Sequence, residues 1–144
     1  MTPWATARTA PAPVDVLVPA APASLAPIRR AVTAFAASLG LTPERLEDVA
    51  VALTEACTNV VVHAYGEADG EGVIEVRAWA DDRDLRVTVR DEGRGLVPRL
   101  RHTSPGLRLG LQMIAALADE VNFGAEEGGG TSVRMAFRLP QSGR

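Results

Sequence analysis

The stretch from Thr42 to Gly66 constrains the fold more than any other part of the chain. Thr42 suits an N-cap, Pro43 suits a first helical turn and Gly66 suits a helix end, so the pattern predicts one helix of about 22 residues, roughly 33 Å long. Apolar residues recur along it as a single stripe at positions 49, 53, 57, 60 and 64. We expect this stripe to pack against a sheet.

The remaining segments predict five strands and two shorter helices. The strands are expected at 14–18, 72–80, 85–91, 120–125 and 131–139, and the helices at 24–39 and 109–119. Helices and strands follow one another in runs and do not alternate strictly. This order predicts an α+β fold, a two-layer sandwich with helices on one face of a mixed, mostly antiparallel sheet.

Length and charge restrict the classes of function. The 144 residues suit one domain, which we expect at 14–140, with residues 1–13 as a flexible N-terminal tail. All 15 basic residues are arginines, and the absence of lysine excludes a P-loop of the usual kind, whose lysine reaches the phosphates. The net charge of −3 argues against a nucleic acid as partner.

The chain also lacks sequence features of membrane or secreted proteins. No apolar run approaches the roughly 18 residues of a membrane span, and prolines interrupt the N-terminal segment where a signal peptide needs apolar residues. The one cysteine, Cys57, cannot form an internal disulfide, and its apolar helical surroundings favour a core residue over a reactive thiol. We therefore expect a cytoplasmic protein.

Two polar residues interrupt the long helix. Glu55 and Asn59 are four residues apart and share one helical face beside the apolar stripe. In a structural interpretation, their side chains hydrogen-bond to backbone groups of a neighbouring loop. In a functional interpretation, Glu55 is a general base and the Asn59 side-chain oxygen is one ligand of an octahedral Mg²⁺.

Asp91 ends a predicted strand and follows three apolar residues on the same face. A charge in that position is costly unless a partner stabilises it. Asp91 either caps a turn or accepts a hydrogen bond from a buried exocyclic amine such as that of adenine. In the second case Gly93 and Gly95 would let the backbone approach a flat ring, where a Cβ would collide.

Basic residues concentrate between this strand and the next helix. The segment 94–108 has no acid and contains Arg94, Arg99, Arg101, His102 and Arg108. It is either a solvated basic loop or a lid over phosphates. Gly110 is expected at a helix entry, where free N–H groups and the helix dipole bind anions. Thr131, after three glycines, either begins a strand or donates its hydroxyl to the same region.

Together these motifs resemble those of the Bergerat-fold (GHKL) ATPases. "EACTNVVVHAY" resembles the N box, "DEGRG" the first glycine box, "GLRLGL" the second glycine box and "GGGTSVRMAF" the closing Gly-Thr strand. The resemblance covers roughly residues 14 to 139. The combination E-A-x-T-N-x-x-x-H with D-E-G-x-G is most similar to the bacterial anti-sigma-factor serine/threonine kinases.

The resemblance implies a role for each matching residue. Glu55 would be the catalytic base, Asn59 the magnesium ligand and Asp91 the adenine-binding acid. Gly93 and Gly95 would shape the adenine pocket. Gly110 would lie at the phosphates, and Thr131 would lie near the adenine end.

The chain departs from the family pattern at two places. Arg108 stands where the second box usually has its first glycine, so its side chain must swing out, pair with phosphate or obstruct it. The segment between the glycine boxes is also short for the kinases, which implies an abbreviated lid. Both departures bear on phosphate binding more than on adenine binding.

The resemblance implies an ATP- and Mg²⁺-dependent anti-sigma-factor kinase. Its partners would be a sigma factor and an anti-anti-sigma antagonist phosphorylated on serine or threonine, and the protein would be a homodimer. The alternative is a regulatory binding module of the same fold that transfers no phosphate. Sensor histidine kinases, gyrases, mismatch-repair ATPases and chaperones of this superfamily fit less well, because we expect 144 residues to leave no room for their additional domains.

Overall fold

A computed structural model describes residues 12–64, 72–92, 105–125 and 129–141. The strands are β1 (Val14–Pro19), β2 (Val73–Ala80), β3 (Asp84–Asp91), β4 (Glu120–Ala125) and β5 (Thr131–Arg138). The helices are α1 (Leu25–Ser38), α2 (Pro43–Asn59) and α3 (Pro105–Leu117), with a 3₁₀ turn at Pro22–Ser24 and a π-helical segment at Val60–Ala64. The predicted order of strands and helices is confirmed.

The five strands form one sheet in the order β1-β2-β3-β5-β4. All four neighbouring pairs are antiparallel, so the sheet is not mixed within the described strands. The strands of the pairs β2–β3 and β4–β5 are consecutive along the chain. The helices α1 and α2 connect β1 to β2, which runs antiparallel to β1. The α+β fold class is confirmed, with β5 inserted between β3 and β4.

Strand alternation separates a helix-covered face from an open face. On β3, alternate residues from Leu85 to Asp91 are buried, and on β5 the helix-facing positions from Thr131 to Phe137 are buried. The helix α2 lies on this face with its predicted apolar stripe buried at Val49, Leu53, Cys57 and Val60. The prediction that this stripe packs as core is confirmed at these four positions, Cys57 among them; the side chain of Ala64 lies outside the described part.

The ends of the helices follow local sequence signals. Thr42 caps α2, because its Oγ1 accepts a hydrogen bond from the Arg45 N–H at 3.2 Å, and Pro43 occupies the first turn. Gly40 follows α1 with φ +91°, a left-handed conformation that favours glycine.

Helix α3 begins four residues earlier than predicted, at Pro105 and not at Leu109. Its fixed φ makes Pro105 a good first helical residue, although a proline in a glycine- and arginine-rich segment suggests a break on pattern alone. Of the expected tail 1–13, only residues 12–13 lie in the described part. Across that part, no helix is long and apolar enough to cross a membrane.

Candidate functional site

Glu55 and Asn59 lie one turn apart near the C-terminal end of α2. Asn59 is 3% exposed, whereas Glu55 is half-buried beside the core stripe. Immediately after Asn59 the backbone becomes π-helical, from Val60 to Ala64. A π-turn widens the helix by one residue per turn and is frequent at functional sites. Periodicity did not predict this change, since the apolar pattern continues through it.

Gly110 of α3 packs directly against this pair. A Cβ built on Gly110 would lie 2.9 Å from Oε2 of Glu55, 3.4 Å from Oδ1 of Asn59 and 3.5 Å from Nδ2 of Asn59. Only a residue without a side chain lets the two helices approach this closely without displacing the carboxylate. The structure therefore brings Glu55, Asn59 and Gly110 together.

The expected position of Gly110 at a helix entry is wrong. Because α3 starts at Pro105, Gly110 is its sixth residue and lies beyond the first four N–H groups that lack intrahelical partners. The backbone of Arg108 lies in the first turn, where those groups are found, and its side chain lies outside the described part. Gly93 and Gly95 also lie outside the described residues.

The amide of Asn59 has unused hydrogen-bonding capacity. Its Nδ2 atom is buried and has no hydrogen-bond partner among the described residues. Leaving such a group unsatisfied costs about 1–3 kcal/mol. Since the two ends of a carboxamide are interchanged by a flip, the unpartnered atom is equally an oxygen able to ligate a hard cation. The donor set therefore fits Mg²⁺, which needs few protein ligands when phosphates and waters supply the rest.

No cluster of three or more His, Cys, Asp or Glu side chains in the described ranges could hold a metal. A divalent cation at this place would consequently rely on the Asn59 amide together with oxygens of a bound ligand. A nucleotide triphosphate supplies oxygens of that kind.

Asp91 ends β3 on the helix-covered face and is 1% exposed. It pairs with Ile74 of β2, while its neighbour Arg90 pairs with Ser132 of β5. Thr131, also 1% exposed, is the first residue of β5, as the strand interpretation predicted. Asp91 and Thr131 therefore lie at the same end of two adjacent strands.

Gly130 holds this end of the sheet together, and pattern analysis assigned it no role. Its φ is +93°, and a Cβ there would collide with the Asp91 carbonyl oxygen and lie 3.1 Å from Cα of Glu92. A glycine is required on both grounds, because the conformation is left-handed and the neighbour is rigid backbone. The run of three glycines was the available signal for this contact.

The lengths of α2 and β5 are consistent with both groups of residues lying at one end of the sandwich. Near the other end of α2, Arg45 stacks over the Phe137 ring at 5.4 Å. From Arg45 to Asn59 the helix rises about 21 Å, and from Phe137 back to Thr131 the strand spans about 20 Å. Asn59 is therefore as far from the Arg45–Phe137 contact along α2 as Thr131 is along β5.

Cys57 and Asp81, which lie away from these residues, have shifted pKa values. Burial raises the pKa of the Cys57 thiol to about 12, so the thiol stays protonated and unreactive. In the β2–β3 turn, a hydrogen bond from the Arg86 guanidinium holds the pKa of the Asp81 carboxyl well below its usual range, assisted by the N–H groups of Arg83 and Asp84. Asp81 therefore stabilises the hairpin that ends in Asp91.

Known proteins resemble this chain over most of its length. The family described as the histidine kinase-like ATPase domain matches residues 18–137. The anti-sigma F factor of Pasteuria penetrans is 32% identical over 123 residues, covering 79% of this chain and 82% of that protein. The serine-protein kinase RsbW of Bacillus subtilis (strain 168) is 34% identical over 139 residues, covering 88% and 85%.

Solved structures show the same fold. The RsbU and RsbW domains of a Mycobacterium tuberculosis protein superpose with a TM-score of 0.70 at 26% identity, covering 93% of this chain and 34% of that one. The histidine kinase domain of a blue-light activated kinase from Erythrobacter litoralis superposes with a TM-score of 0.55 at 25% identity, covering 81% and 60%. With its sequence boxes and its sheet order, the chain belongs to the histidine kinase-like ATPase family.

Proposed function

We propose that this chain is an anti-sigma-factor serine/threonine kinase that uses ATP with Mg²⁺ to phosphorylate an anti-anti-sigma antagonist. The observation that carries the proposal is the contact of Glu55, Asn59 and Gly110, and it is accompanied by the buried Asp91 and Thr131 at adjoining ends of β3 and β5. Further support comes from the relatives named anti-sigma F factor and serine-protein kinase RsbW.

The adenine end of the site is assigned to Asp91. Its carboxylate, on the covered face, would accept a hydrogen bond from the exocyclic amine, and burial would make that bond selective for adenine. Thr131 would lie near the same end. Gly93 and Gly95 are assigned to the adenine pocket from the motif alone.

The phosphate end is assigned to Asn59, Arg108 and Gly110. The Asn59 oxygen would be one ligand of the Mg²⁺, which when bound neutralises phosphate charge. Arg108 belongs to the first turn of α3, whose free N–H groups favour anions. Gly110 would keep α3 close to Glu55 and Asn59.

Glu55 would act as the general base. Its half-buried position at the protein surface leaves it accessible to the hydroxyl of a partner protein. As the hydroxyl oxygen bonds to the γ-phosphorus, the bond to the β–γ bridging oxygen breaks and ADP leaves, while the hydroxyl proton passes to the Glu55 carboxylate.

Calorimetric titration with ATP, with and without Mg²⁺, and transfer of labelled γ-phosphate to the antagonist from the same organism test this proposal. We expect Asp91→Asn to abolish ATP binding in both titrations and Asn59→Ala to abolish its Mg²⁺ dependence. Glu55→Gln should retain ATP binding and lower transfer by roughly 10²–10⁴-fold. Wild-type transfer by Glu55→Gln would refute the base assignment, and no ATP binding by the wild type would refute the kinase.

A second candidate is a regulatory binding module of the same fold that transfers no phosphate. The observation in its favour is the position of Gly110 in the second turn of α3, so that its N–H is not one of the free groups that bind phosphate. This candidate predicts that antagonist or sigma-factor binding does not respond to ATP and survives Glu55→Gln.

Sedimentation of the same samples tests the expected homodimer.

A further inference from the structure

The face of the sheet opposite the helices carries a groove with no role in the proposed kinase. Its volume is about 820 Å³, and its walls come from β1, β2, β3 and β5. One cross-strand row on this face runs from Asp15 through Arg77, Thr88 and Arg134 to Asn122. A neighbouring row places Glu75, Arg90 and Ser132 side by side.

Positive charge predominates in the groove. Its lining includes four arginines and two acids, although the whole chain carries a net charge of −3. Both acids are already engaged by arginines: Asp15 lies 3.4 Å from Arg77, and Glu75 lies 3.6 Å from Arg77 and 3.3 Å from Arg90.

Two guanidinium groups retain free donors. Arg134 is exposed and makes no ion pair or hydrogen bond through its side chain among the described residues. The Arg90 side chain is 40% exposed, and its Nη1 and Nη2 lie 3.3 Å from Glu75 and 3.9 Å from Glu92, so each terminal nitrogen keeps a second N–H, whereas Nε is buried and does not face the groove. A guanidinium has five donors in a fixed fork, so both residues can bind a further anion.

Two hydroxyl residues complete a compact group with these arginines. Thr88 is the cross-strand partner of Arg134, and Ser132 is the partner of Arg90. Directly paired side chains on one face lie about 5 Å apart, and diagonal neighbours about 7–8 Å. We name Thr88, Arg90, Ser132 and Arg134 the arginine–hydroxyl quartet.

We propose that the arginine–hydroxyl quartet docks an acidic segment of a partner protein. Carboxylates on an extended segment match the guanidinium forks, and the half-buried Thr88 hydroxyl can donate to the same oxygens, while Ser132, 4% exposed, lies at the floor of the groove. Trp79, 38% exposed in the same groove, offers an aromatic surface to an apolar side chain of the segment. Tryptophan and arginine are the residues that most often dominate binding energy at protein interfaces.

The charge pattern disfavours one direct stacking of a second copy of the chain on this face. Arg77 and Arg134 flank Thr88 on both sides along one row. A copy stacked on the face about a two-fold axis parallel to β3 would place arginines opposite arginines, and like charges in an interface are costly. An acidic segment meets no such repulsion, and its binding does not depend on kinase activity.

The test uses the full chain with Trp4→Phe, so that Trp79 is the sole tryptophan. Its fluorescence is followed during titration with a synthetic peptide of alternating glutamate and leucine, and with a matched peptide in which glutamine replaces glutamate. We expect the glutamate peptide alone to bind, with an affinity that falls as salt rises. Arg134→Gln should weaken binding by about tenfold.

Arg138→Gln is the matched control, because Arg138 lies on the same strand and face but is already 3.4 Å from Asp84. Its peptide affinity should stay within about twofold of the parent. Equal losses in the two variants, or equal binding of the glutamine peptide, would overturn the proposal. So would a dimer, detected by sedimentation, that Arg134→Gln dissociates, since the face would then bind a second copy.

Discussion

At the residue scale, two glycines define how closely the chain packs around its proposed site. Because Gly110 has no Cβ, the Glu55 carboxylate can lie directly against α3. Because Gly130 has no Cβ, the backbone of Asp91 can lie directly against the residue before β5. The two contacts differ in stiffness. A carboxylate at the end of a flexible side chain can move aside, but a strand carbonyl cannot move without disturbing its ladder. The first contact therefore bears on function and the second on folding.

Gly110→Ala should separate activity from stability. The new Cβ would displace the Glu55 carboxylate, so we expect phosphate transfer to fall by about tenfold or more. The free energy of unfolding should change by less than about 1 kcal/mol, because alanine gains helix propensity that offsets the crowding. Steady-state transfer kinetics and urea denaturation of the same preparation measure the two effects.

Gly124→Ala is the matched glycine substitution. A Cβ on Gly124 meets only Oγ of Ser132, at an ordinary 3.7 Å, and lies on the edge strand β4. Transfer by this variant should match the wild type. If both alanine variants lost activity equally, or neither did, the contact between Gly110 and Glu55 would have no catalytic significance.

At the element scale, Arg45 joins the start of α2 to the end of α3 and to β5. Its Nη1 donates to the Leu117 carbonyl at 3.0 Å, and its Nη2 donates to Oδ2 of Asp119 at 2.7 Å. That same Oδ2 accepts the backbone N–H of Arg138 at 2.6 Å, while the guanidinium stacks on Phe137. One side chain thus aligns three elements at the end of the sandwich opposite the site.

Arg45→Ala should lower the free energy of unfolding by about 2 kcal/mol, since it removes hydrogen bonds of a charged donor and a cation–π contact. Arg45→Lys should recover less than half of the loss, because an ammonium cannot reproduce the planar fork. Urea denaturation measures both. The exposed Arg30 of α1 is the control, and Arg30→Ala should stay within about 0.5 kcal/mol of the wild type. Equal losses at both positions would contradict the role of Arg45.

At the scale of the whole molecule, the absence of lysine makes the alkaline titration unusually simple. Arginines stay protonated, and the chain has only one cysteine, Cys57, and one tyrosine, Tyr65, of the side-chain types that ordinarily titrate between about pH 8 and 11. The folded core raises the pKa of Cys57 from 9.0 to about 12. The buried thiol is therefore an expected source of alkaline destabilisation, and substitution separates it from the tyrosine.

The sign of the effect follows from proton binding. Above pH 9 the unfolded chain loses the thiol proton while the folded chain keeps it, so the unfolded state binds fewer protons and stability falls as pH rises. We expect a decrease of about 1 kcal/mol per pH unit between pH 9.5 and 11 in urea denaturation. Cys57→Ala should abolish this slope even where it lowers stability overall, and Tyr65→Phe should retain it. A slope unchanged in Cys57→Ala would contradict the assignment.

Much of the fold was predictable because its signals are local. The cap at Thr42, the core stripe containing Cys57 and the alternation of β3 each depend on spacings of a few residues, so the pattern predicted the element order correctly. The same periodicity placed Glu55 and Asn59 on one face. The predicted start of α3 was wrong. Proline favours the first turn of a helix and breaks a helix elsewhere, and the residues around Pro105 do not show which of the two applies.

The sequence alone therefore determined which elements form and which polar residues interrupt them. Only the tertiary structure decided that β5 lies between β3 and β4, that Gly110 meets Glu55, and that Gly130 abuts Asp91. It also decided that Arg90 and Arg134 share the open face. The physical reason is range: helical and strand periods are set by neighbouring residues, whereas a close contact between distant segments exists only once packing has chosen which elements meet.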